Sequence, residues 1–498
     1  PEGDLLSVTD QKNQQTLFEY DSRHRMVKET NALGLFSQFQ YNGDGQITFW
    51  SRPDGSSVEY LYDPIGRLKS KVFGLQGAVV FGYDEAGNLL RAKDGNSEIV
   101  WGYDRANRVS TENQIHLGYT MSYSRNFSGD VDRVSWSKNN KIKELRYFYN
   151  PLHQVEEVRA TLHLGVQHVW DQAFDTLGRV TSQTLPNSVA KVLSYNALSQ
   201  ITELKHNQSG VSDPLSRWVH AYDPVGNRTS AQERLGGFQP LDLNHQYIYD
   251  SNNRLTAINN EADPESFNYD PVGNTVFNAQ TQYNAANQLI NDGKFEYSYD
   301  LMGRLTQKRE MATFERWIYS WNNQDQLTGL EHRKANGDPI MQASYKYDAI
   351  GRRIEKRVER FGDQPSIKTR KYVYEREDIV EELDGTGKVV ANYMHGPGID
   401  HPVLMERDVT GFNDFKAYTY TQDALGSVRD LTDSTGKLIQ RYRYSGYGIT
   451  KLEKDDVNTL KFVENPYGFT GREWDEESGL YYYRARYYSP EMQRFVSQ

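Results

Sequence analysis

Between Val58 and Val72 the chain alternates in character. Val58-Glu59-Tyr60-Leu61-Tyr62 leads into Asp63-Pro64-Ile65-Gly66, and Arg67-Leu68-Lys69-Ser70-Lys71-Val72 leads out. A period of two on both sides of a turn-forming tetrapeptide predicts a β-hairpin. The same order recurs along the chain: an aromatic, Asp or Asn, two further residues, Gly or Asn, then Arg, Gln or Asn, then an aliphatic. Tyr-Asp occurs nine times, at Tyr20, Tyr62, Tyr83, Tyr103, Tyr222, Tyr249, Tyr269, Tyr299 and Tyr347. Tyr-Asn stands in its place at Tyr41, Tyr149, Tyr195 and Tyr283, with Phe174-Asp175 and Trp321-Asn322 as further variants. Early spacings are 21, 21, 21 and 20 residues. A unit of ~20 residues holds two strands of ordinary length and two turns, so each repeat is read as one hairpin.

The repeated acid has a geometric role. Asp or Asn suits the first position of a type I turn, because its side chain accepts from the backbone two residues on; Pro suits the second, and Gly or Asn the fourth, where φ is often positive. The turn set is therefore Asp63 and Gly66, Asp84 and Gly87, Asp223 and Gly226, Asp270 and Gly273, Asp300 and Gly303, and Asp348 and Gly351. Glycosidase acids or calcium ligands are the alternative. A catalytic pair is not copied at every hairpin, and no D-x-D-x-D-G loop is present. The tyrosines are expected to stack across neighbouring strands, at roughly 0.2–1 kcal/mol per pair, rather than to form a sugar-binding track.

Composition limits the class further. The chain has 498 residues, 37% hydrophobic and 13% aromatic, with a mean hydropathy of −0.79. That is too polar for a large dry core and too aromatic for a disordered chain; a thin sheet wet on both faces reconciles the two. A net charge of −10 argues against a nucleic-acid partner. No cysteine is present, so disulfides and thiolate metal sites are excluded. The scattered histidines show no metal-ligand spacing, and no phosphate-binding glycine loop occurs, so neither a metal nor any other cofactor is expected. No apolar run reaches the length of a membrane span. The first residues lack a Sec signal peptide, and Pro1 is not an initiator methionine, so the chain is expected to be a fragment or a processed product.

From about Tyr393 the pattern changes. GPGIDHPVL is followed by DALGSVRDLTD and then by FTGREWDEESGLYYYRARYYSPEMQRF. Tyr481, Tyr482, Tyr483, Tyr487 and Tyr488 fall in one dense run with Arg484 and Arg486. Read as a single strand, the run puts Tyr481, Tyr483, Ala485 and Tyr487 on one face and Tyr482, Arg484, Arg486 and Tyr488 on the other, packed on the repeat sheet with Arg stacked on Tyr.

These motifs resemble the YD repeats of bacterial Rhs proteins, Tc-toxin C components and teneurins, and the last ~105 residues resemble the Rhs repeat-associated core domain. The resemblance implies an all-β fold: YD hairpins wound as a spiral sheet into a hollow cage, or cocoon, closed at the C-terminal end by the core segment. The implied domains are a shell over residues 1–391 and a core over 392–498. The implied function is a structural encapsulation shell of a polymorphic toxin. It would enclose a C-terminal toxic effector, deliver it, and release it by aspartyl autoproteolysis. The family's catalytic acids would lie beyond Gln498, so this chain is not itself expected to be an enzyme. Arg486, and secondarily Arg494, match positions that support self-cleavage by holding a carboxylate beside the cut.

The implied partners are the chain's own toxin domain, a secretion machine (a VgrG/PAAR-type spike of type VI secretion, or a Tc-type β-propeller), and a chaperone or immunity protein. Nucleic acid is not among them. The protein is expected to be made in the bacterial cytoplasm and then secreted or translocated to a target cell. Two other classes compete. One is a YD-repeat surface adhesin that binds glycans or a protein through its aromatic faces; the other is a glycoside hydrolase, for which no carboxylate pair stands out from the turns.

Overall fold

The computed structural model describes residues 3–138, 141–237, 240–454 and 463–497. Among these, regular structure consists of β-strands and two short 3-10 turns, Gly74–Gln76 and Phe469–Gly471, without an α-helix. Among the described residues no helix is long and apolar enough to cross a membrane. The all-β, antiparallel hairpin fold expected from the alternation is what the chain adopts.

Contacts divide the chain into two compact units. The first comprises Pro1–Gly118, Asn268–Lys371 and Glu476–Gln498; the second comprises Tyr119–Phe267 and Tyr372–Asp475. In the first unit, consecutive strands from Ser7–Thr9 to Val109–Gln114 pair antiparallel as a meander. A second run from Gln282–Tyr283 to Arg353–Arg360 does the same. The second unit has its own two runs, from Tyr119–Arg125 to Glu265–Ser266 and from Asp378–Asp384 to Thr450–Lys454. Gln15–Tyr20 and Phe36–Tyr41 alternate strictly between exposed and half-buried residues, which is the pattern of a sheet one layer thick.

The turns follow from the repeat. The Gly66 N–H donates to the Asp63 carbonyl at 3.0 Å and the Asp63 N–H to the Arg67 carbonyl at 2.9 Å. Gly66 has φ +84°, and the register slips by one residue so that Tyr62 faces Leu68. This is a type I turn closed by a glycine bulge. The Asp63 carboxylate accepts from the N–H groups of Ile65 at 3.1 Å and Arg67 at 2.9 Å, and from Arg67 Nε at 2.6 Å. Asp84, Asp223, Asp270, Asp300 and Asp348 each accept from the backbone N–H four residues on, within their own turns.

Neighbouring hairpins are joined by the residues around that turn. The Tyr83 hydroxyl donates to the Leu68 carbonyl of the preceding hairpin at 3.0 Å. Tyr41 does so to Met26 at 2.6 Å, Tyr62 to Ile47 at 2.9 Å, Tyr195 to Val180 at 2.7 Å and Tyr347 to Leu327 at 2.7 Å. At Trp321 the indole Nε1 makes the same bond to Leu305 at 2.7 Å. The residue after the turn glycine reaches forward. Arg67 donates to the Asp84 carbonyl at 2.6 Å while its guanidinium lies 4.9 Å from the Tyr83 ring centre. Where Gln or Asn replaces Arg the reach persists: Gln46 donates to the Gly66 carbonyl at 2.7 Å and Asn88 to the Asn107 side chain at 3.0 Å.

Apolar packing falls in separate clusters. Val58, Phe73, Val79, Ala92 and Ala349 form one cluster in the first unit, and Leu204, Trp218 and Leu235 form another in the second. Buried charge pairs link the two runs inside each unit. Arg352 binds both Asp348 at 2.8 Å and Glu112 at 3.0 Å in the first. In the second, Glu381 accepts from Tyr119 at 2.8 Å, Trp136 at 2.6 Å and Lys143 at 2.6 Å.

Two predictions follow from the turn chemistry. Gly66→Ala forces a side chain into the left-handed region and is expected to cost about 1–2 kcal/mol, whereas Gly43→Ala, with open space around its Cβ and no positive φ, is expected to be near neutral. Equal denaturation midpoints for the two variants would show that the bulge geometry is wrong. The second prediction concerns acid. The guanidiniums of Arg25 and Arg108 hold the Asp21 and Asp104 carboxyls down at about 2. Carboxyls depressed in the folded state stabilise it above their unfolded pKa, near 4, and lose that contribution as pH falls toward about 2. Urea midpoints measured between pH 5 and 2 are expected to fall less steeply in an Asp21→Asn/Asp104→Asn variant than in the parent.

Candidate functional site

Of the segment that sequence sets apart from about Tyr393, the part up to Asp475 belongs to the second unit and the part from Glu476 onward packs in the first. Leu480–Tyr483 pairs with Arg486–Ser489, which pairs with Arg494–Phe495. The tyrosine run is thus a hairpin, which corrects the expected single strand from Tyr481 to Tyr488. The physical reason is Arg484, which sits at φ +58° and turns the chain back within two residues. Tyr482 comes opposite Tyr487, and Tyr483 opposite Arg486, so the faces regroup. Tyr482 and Tyr487, with ring centres 5.2 Å apart, point into the unit; Tyr483, Tyr488 and Phe495 form a triad of rings 5.5–5.9 Å apart on the other face.

The inward face closes on a buried cation. Arg353 is 1% exposed. Its guanidinium lies 4.2 Å from the Tyr482 ring centre and 5.6 Å from that of Tyr345, and it donates to the Tyr487 hydroxyl at 3.3 Å. That hydroxyl also meets the Tyr347 hydroxyl at 3.0 Å. Glu477 accepts from the Tyr345 hydroxyl at 3.0 Å and pairs with Lys356 at 3.4 Å. Leu480, Tyr482, Tyr487, Met492 and Val496 join Leu305, Leu327 and Leu330 in one apolar cluster. The last strand is tied in by main-chain bonds, Val496 N–H to the Tyr487 carbonyl at 3.0 Å and Leu305 N–H to the Val496 carbonyl at 2.9 Å. Sequence reasoning missed Arg353, Glu477 and Tyr345. The one available signal was Arg353 itself, a cation where the repeat carries an aliphatic.

The two arginines singled out from sequence lie apart in role. Arg486 is exposed and stacks on Phe495, its guanidinium carbon 3.9 Å from the ring centre. Arg494 donates to the Asn287 carbonyl at 3.1 Å and the Asn274 side chain at 3.2 Å, over the Tyr283 ring. It fastens the last strand to two repeat turns. Gln498, next to the expected cleavage position, lies outside the described residues. Among the described residues no cluster of three or more His, Asp or Glu could hold a metal ion. The arrangement can seat the C-terminal strand firmly and present Arg486 beside it.

Repeated aromatic–acid hairpins in antiparallel runs, with a tyrosine-rich hairpin seated on them, define a YD-repeat shell protein. The chain belongs to the teneurin YD-shell family, whose model it matches over residues 241–498, and residues 1–35 match the RHS repeat. It is 24% identical to the double-stranded DNA deaminase toxin A of Burkholderia cenocepacia, over 97% of this chain and 35% of that protein. It is 29% identical to the tRNA3(Ser)-specific nuclease WapA of Bacillus spizizenii, over 61% of this chain and 10% of that protein. A crystal structure of TcdB2-TccC3-Cdc42 aligns over 98% of this chain and 33% of that chain, at 15% identity and a TM-score of 0.45. The chain therefore spans about a third or less of the length of these relatives.

Tyr487→Phe removes a hydroxyl shared by a buried cation and a second tyrosine and is expected to cost about 1.5–3 kcal/mol. Arg486→Ala removes one exposed ring contact, worth about 0.5–1 kcal/mol. Denaturant unfolding of the two variants checks the order; a larger loss for Arg486→Ala would place the structural weight on the wrong face.

Proposed function

We propose that this chain is the encapsulating shell of a bacterial Rhs-type polymorphic toxin. The observation that carries the reading is the pairing of a common region with different named activities. One relative is named a DNA deaminase toxin and another a tRNA nuclease. Both share this chain's sequence over only part of their own length. A region shared by proteins of unlike chemistry is suited to carrying the active part, not to being it. Strands such as Gln15–Tyr20 and Phe36–Tyr41, exposed on one side and only half-buried on the other, favour a wall over a solid core.

In this reading residues 1–391 form the shell and 392–498 the core that closes its C-terminal end. The effector follows the core in the natural protein and is enclosed by the shell. Release is by aspartyl autoproteolysis, with the acids after Gln498 and Arg486 beside them as the group that holds a carboxylate. The protein is made in the cytoplasm and exported with its cargo, through a VgrG/PAAR-type spike or a Tc-type β-propeller partner.

The test is to express the natural protein with its C-terminal extension. Two fragments that separate on a denaturing gel and co-elute on a sizing column are expected, with the extension resisting protease until the shell is unfolded. A single uncut polypeptide would remove autoproteolysis from the account. An extension digested as fast in the complex as alone would remove enclosure.

A further inference from the structure

Six residues after each repeat aromatic the chain places an aliphatic, as at Leu68, Leu89, Val180, Ile201, Leu255 and Leu305. Arginine stands there twice, at Arg353 and Arg228. Arg353 is met by the Tyr482 ring and the Tyr487 hydroxyl. Arg228, in the second unit, lines a cavity of about 740 Å³ bounded by the strands Ser216–Tyr222, Arg228–Leu235 and Leu241–Tyr249 and by segments around Asp423–Arg429 and Arg443–Lys451.

The polar groups of this cavity are unequally matched. Among the described residues no carboxylate lies within ion-pair distance of Arg228, and its Nε is buried without a hydrogen-bond partner. Its guanidinium sits 6.0 Å from the Tyr247 ring centre and makes a side-chain hydrogen bond to that tyrosine. His220 is 7% exposed and neither ring nitrogen has a partner. Burial, reinforced by the Arg228 charge, holds that imidazole well below its ordinary pKa, so it presents one N–H and one lone pair. The acids in the wall are engaged elsewhere. Glu233 is bound by Arg429 and by His245 at 3.1 Å. Asp263 pairs with Lys451 and Arg443, Glu265 accepts from the Gly446 N–H at 3.0 Å, and Asp423 accepts from the Ser427 N–H at 3.0 Å. The unmatched capacity is a cation and a donor, flanked by the rings of Trp218, Tyr222 and Tyr249.

A half-buried guanidinium with no carboxylate partner among the described residues and a buried, unbonded imidazole give a cavity of ligand size polar capacity that a ligand would complete. We propose that the cavity framed by His220, Arg228 and Tyr247 binds a carboxylate carried on a compact aromatic or apolar body. The guanidinium fork takes the carboxylate oxygens, the His220 N–H adds a third donor, and the ring walls cover the body. Such a carboxylate comes either from a free acid or from an acidic side chain of a polypeptide segment. The binding proposal stands independently of the shell reading; only the arm of its test that separates the two sources uses that reading's C-terminal extension.

Sodium benzoate and its neutral counterpart benzamide are the probes, titrated into the 498-residue chain by thermal shift and calorimetry. Benzoate is expected to raise the unfolding temperature saturably and benzamide to leave it unchanged. Arg228→Gln is expected to weaken benzoate binding by about tenfold or more, and Arg91→Gln, at an exposed pair with Glu98, to leave it intact. No response to benzoate, an equal response to both probes, or full benzoate affinity in a folded Arg228→Gln variant overturns the proposal. If Arg228→Gln does not fold, the two-probe comparison on the unaltered chain decides, with His220→Phe as the second variant. In the natural longer protein, benzoate binding that appears only after the extension is removed assigns the carboxylate to the polypeptide; binding already present assigns it to a free acid.

Discussion

The structure depends on a bond between a tyrosine hydroxyl and a backbone carbonyl one hairpin away. Where the sheet is exposed on one side and half-buried on the other, as at Gln15–Tyr20 and Phe36–Tyr41, no deep interior supplies stability. Each hairpin must therefore be held by its neighbours, as in other repeat architectures where nearest-neighbour terms dominate. The Tyr83–Leu68 bond and its equivalents supply such a term. One neutral hydrogen bond contributes only about 0.5–1.5 kcal/mol. Repetition makes the sum matter, and the same ring also receives the preceding arginine's guanidinium. The carbonyl that accepts belongs to the aliphatic residue paired with the previous tyrosine across the bulge. The turn and the bond to the next hairpin are thus one device, and a change in turn register would move the acceptor.

This explains which parts of the repeat were legible. Asp63, Pro64 and Gly66 obey local turn rules, and local rules are written in consecutive residues. The hairpin, its strands and the αL glycine could be read from them directly. The forward reach of Arg67 to the Asp84 carbonyl could not, because it spans 17 residues and depends on sheet geometry. The sequence shows Arg, Gln or Asn at that position without showing why. The choice is a constraint: each of the three offers an N–H donor to the next turn. Some turns hold without glycine. His24, His153 and Ser199 adopt φ of 60–62° at the fourth position, because the flanking Asp or Asn bonds outweigh the strain of one side chain in the left-handed region.

The C-terminal hairpin was misjudged for a related reason. Alternation predicts faces only if the strand is unbroken, and no glycine, proline or asparagine marks Arg484 as a turn. The turn is imposed by packing, since Tyr482 and Tyr487 are both drawn into the cluster around Arg353. Burial of several apolar side chains at roughly 1.5–3 kcal/mol each exceeds the cost of about 1–2 kcal/mol for one residue at positive φ. Arg486 and Arg494 could be picked out by motif, but their partners come from Phe495 and from the turns at Asn274 and Asn287. Such partners emerge only with the fold.

Buried charge does a different task from the tyrosine bonds. Glu382 and Arg407, Asp430 and Arg441, and Arg352 with Asp348 and Glu112 are all nearly inaccessible to solvent. Desolvation offsets much of the attraction in such pairs, so they add little net stability, yet a mismatched pairing leaves a charge buried alone at a cost of several kcal/mol. Glu381 illustrates the consequence. It draws Tyr119, Trp136 and Lys143 from one run of strands onto a second run more than 230 residues later in sequence. Apolar contact alone would tolerate a one-repeat slip between near-identical hairpins. A charge met only in one register does not, and in a chain built of look-alike units that selectivity decides which hairpin faces which.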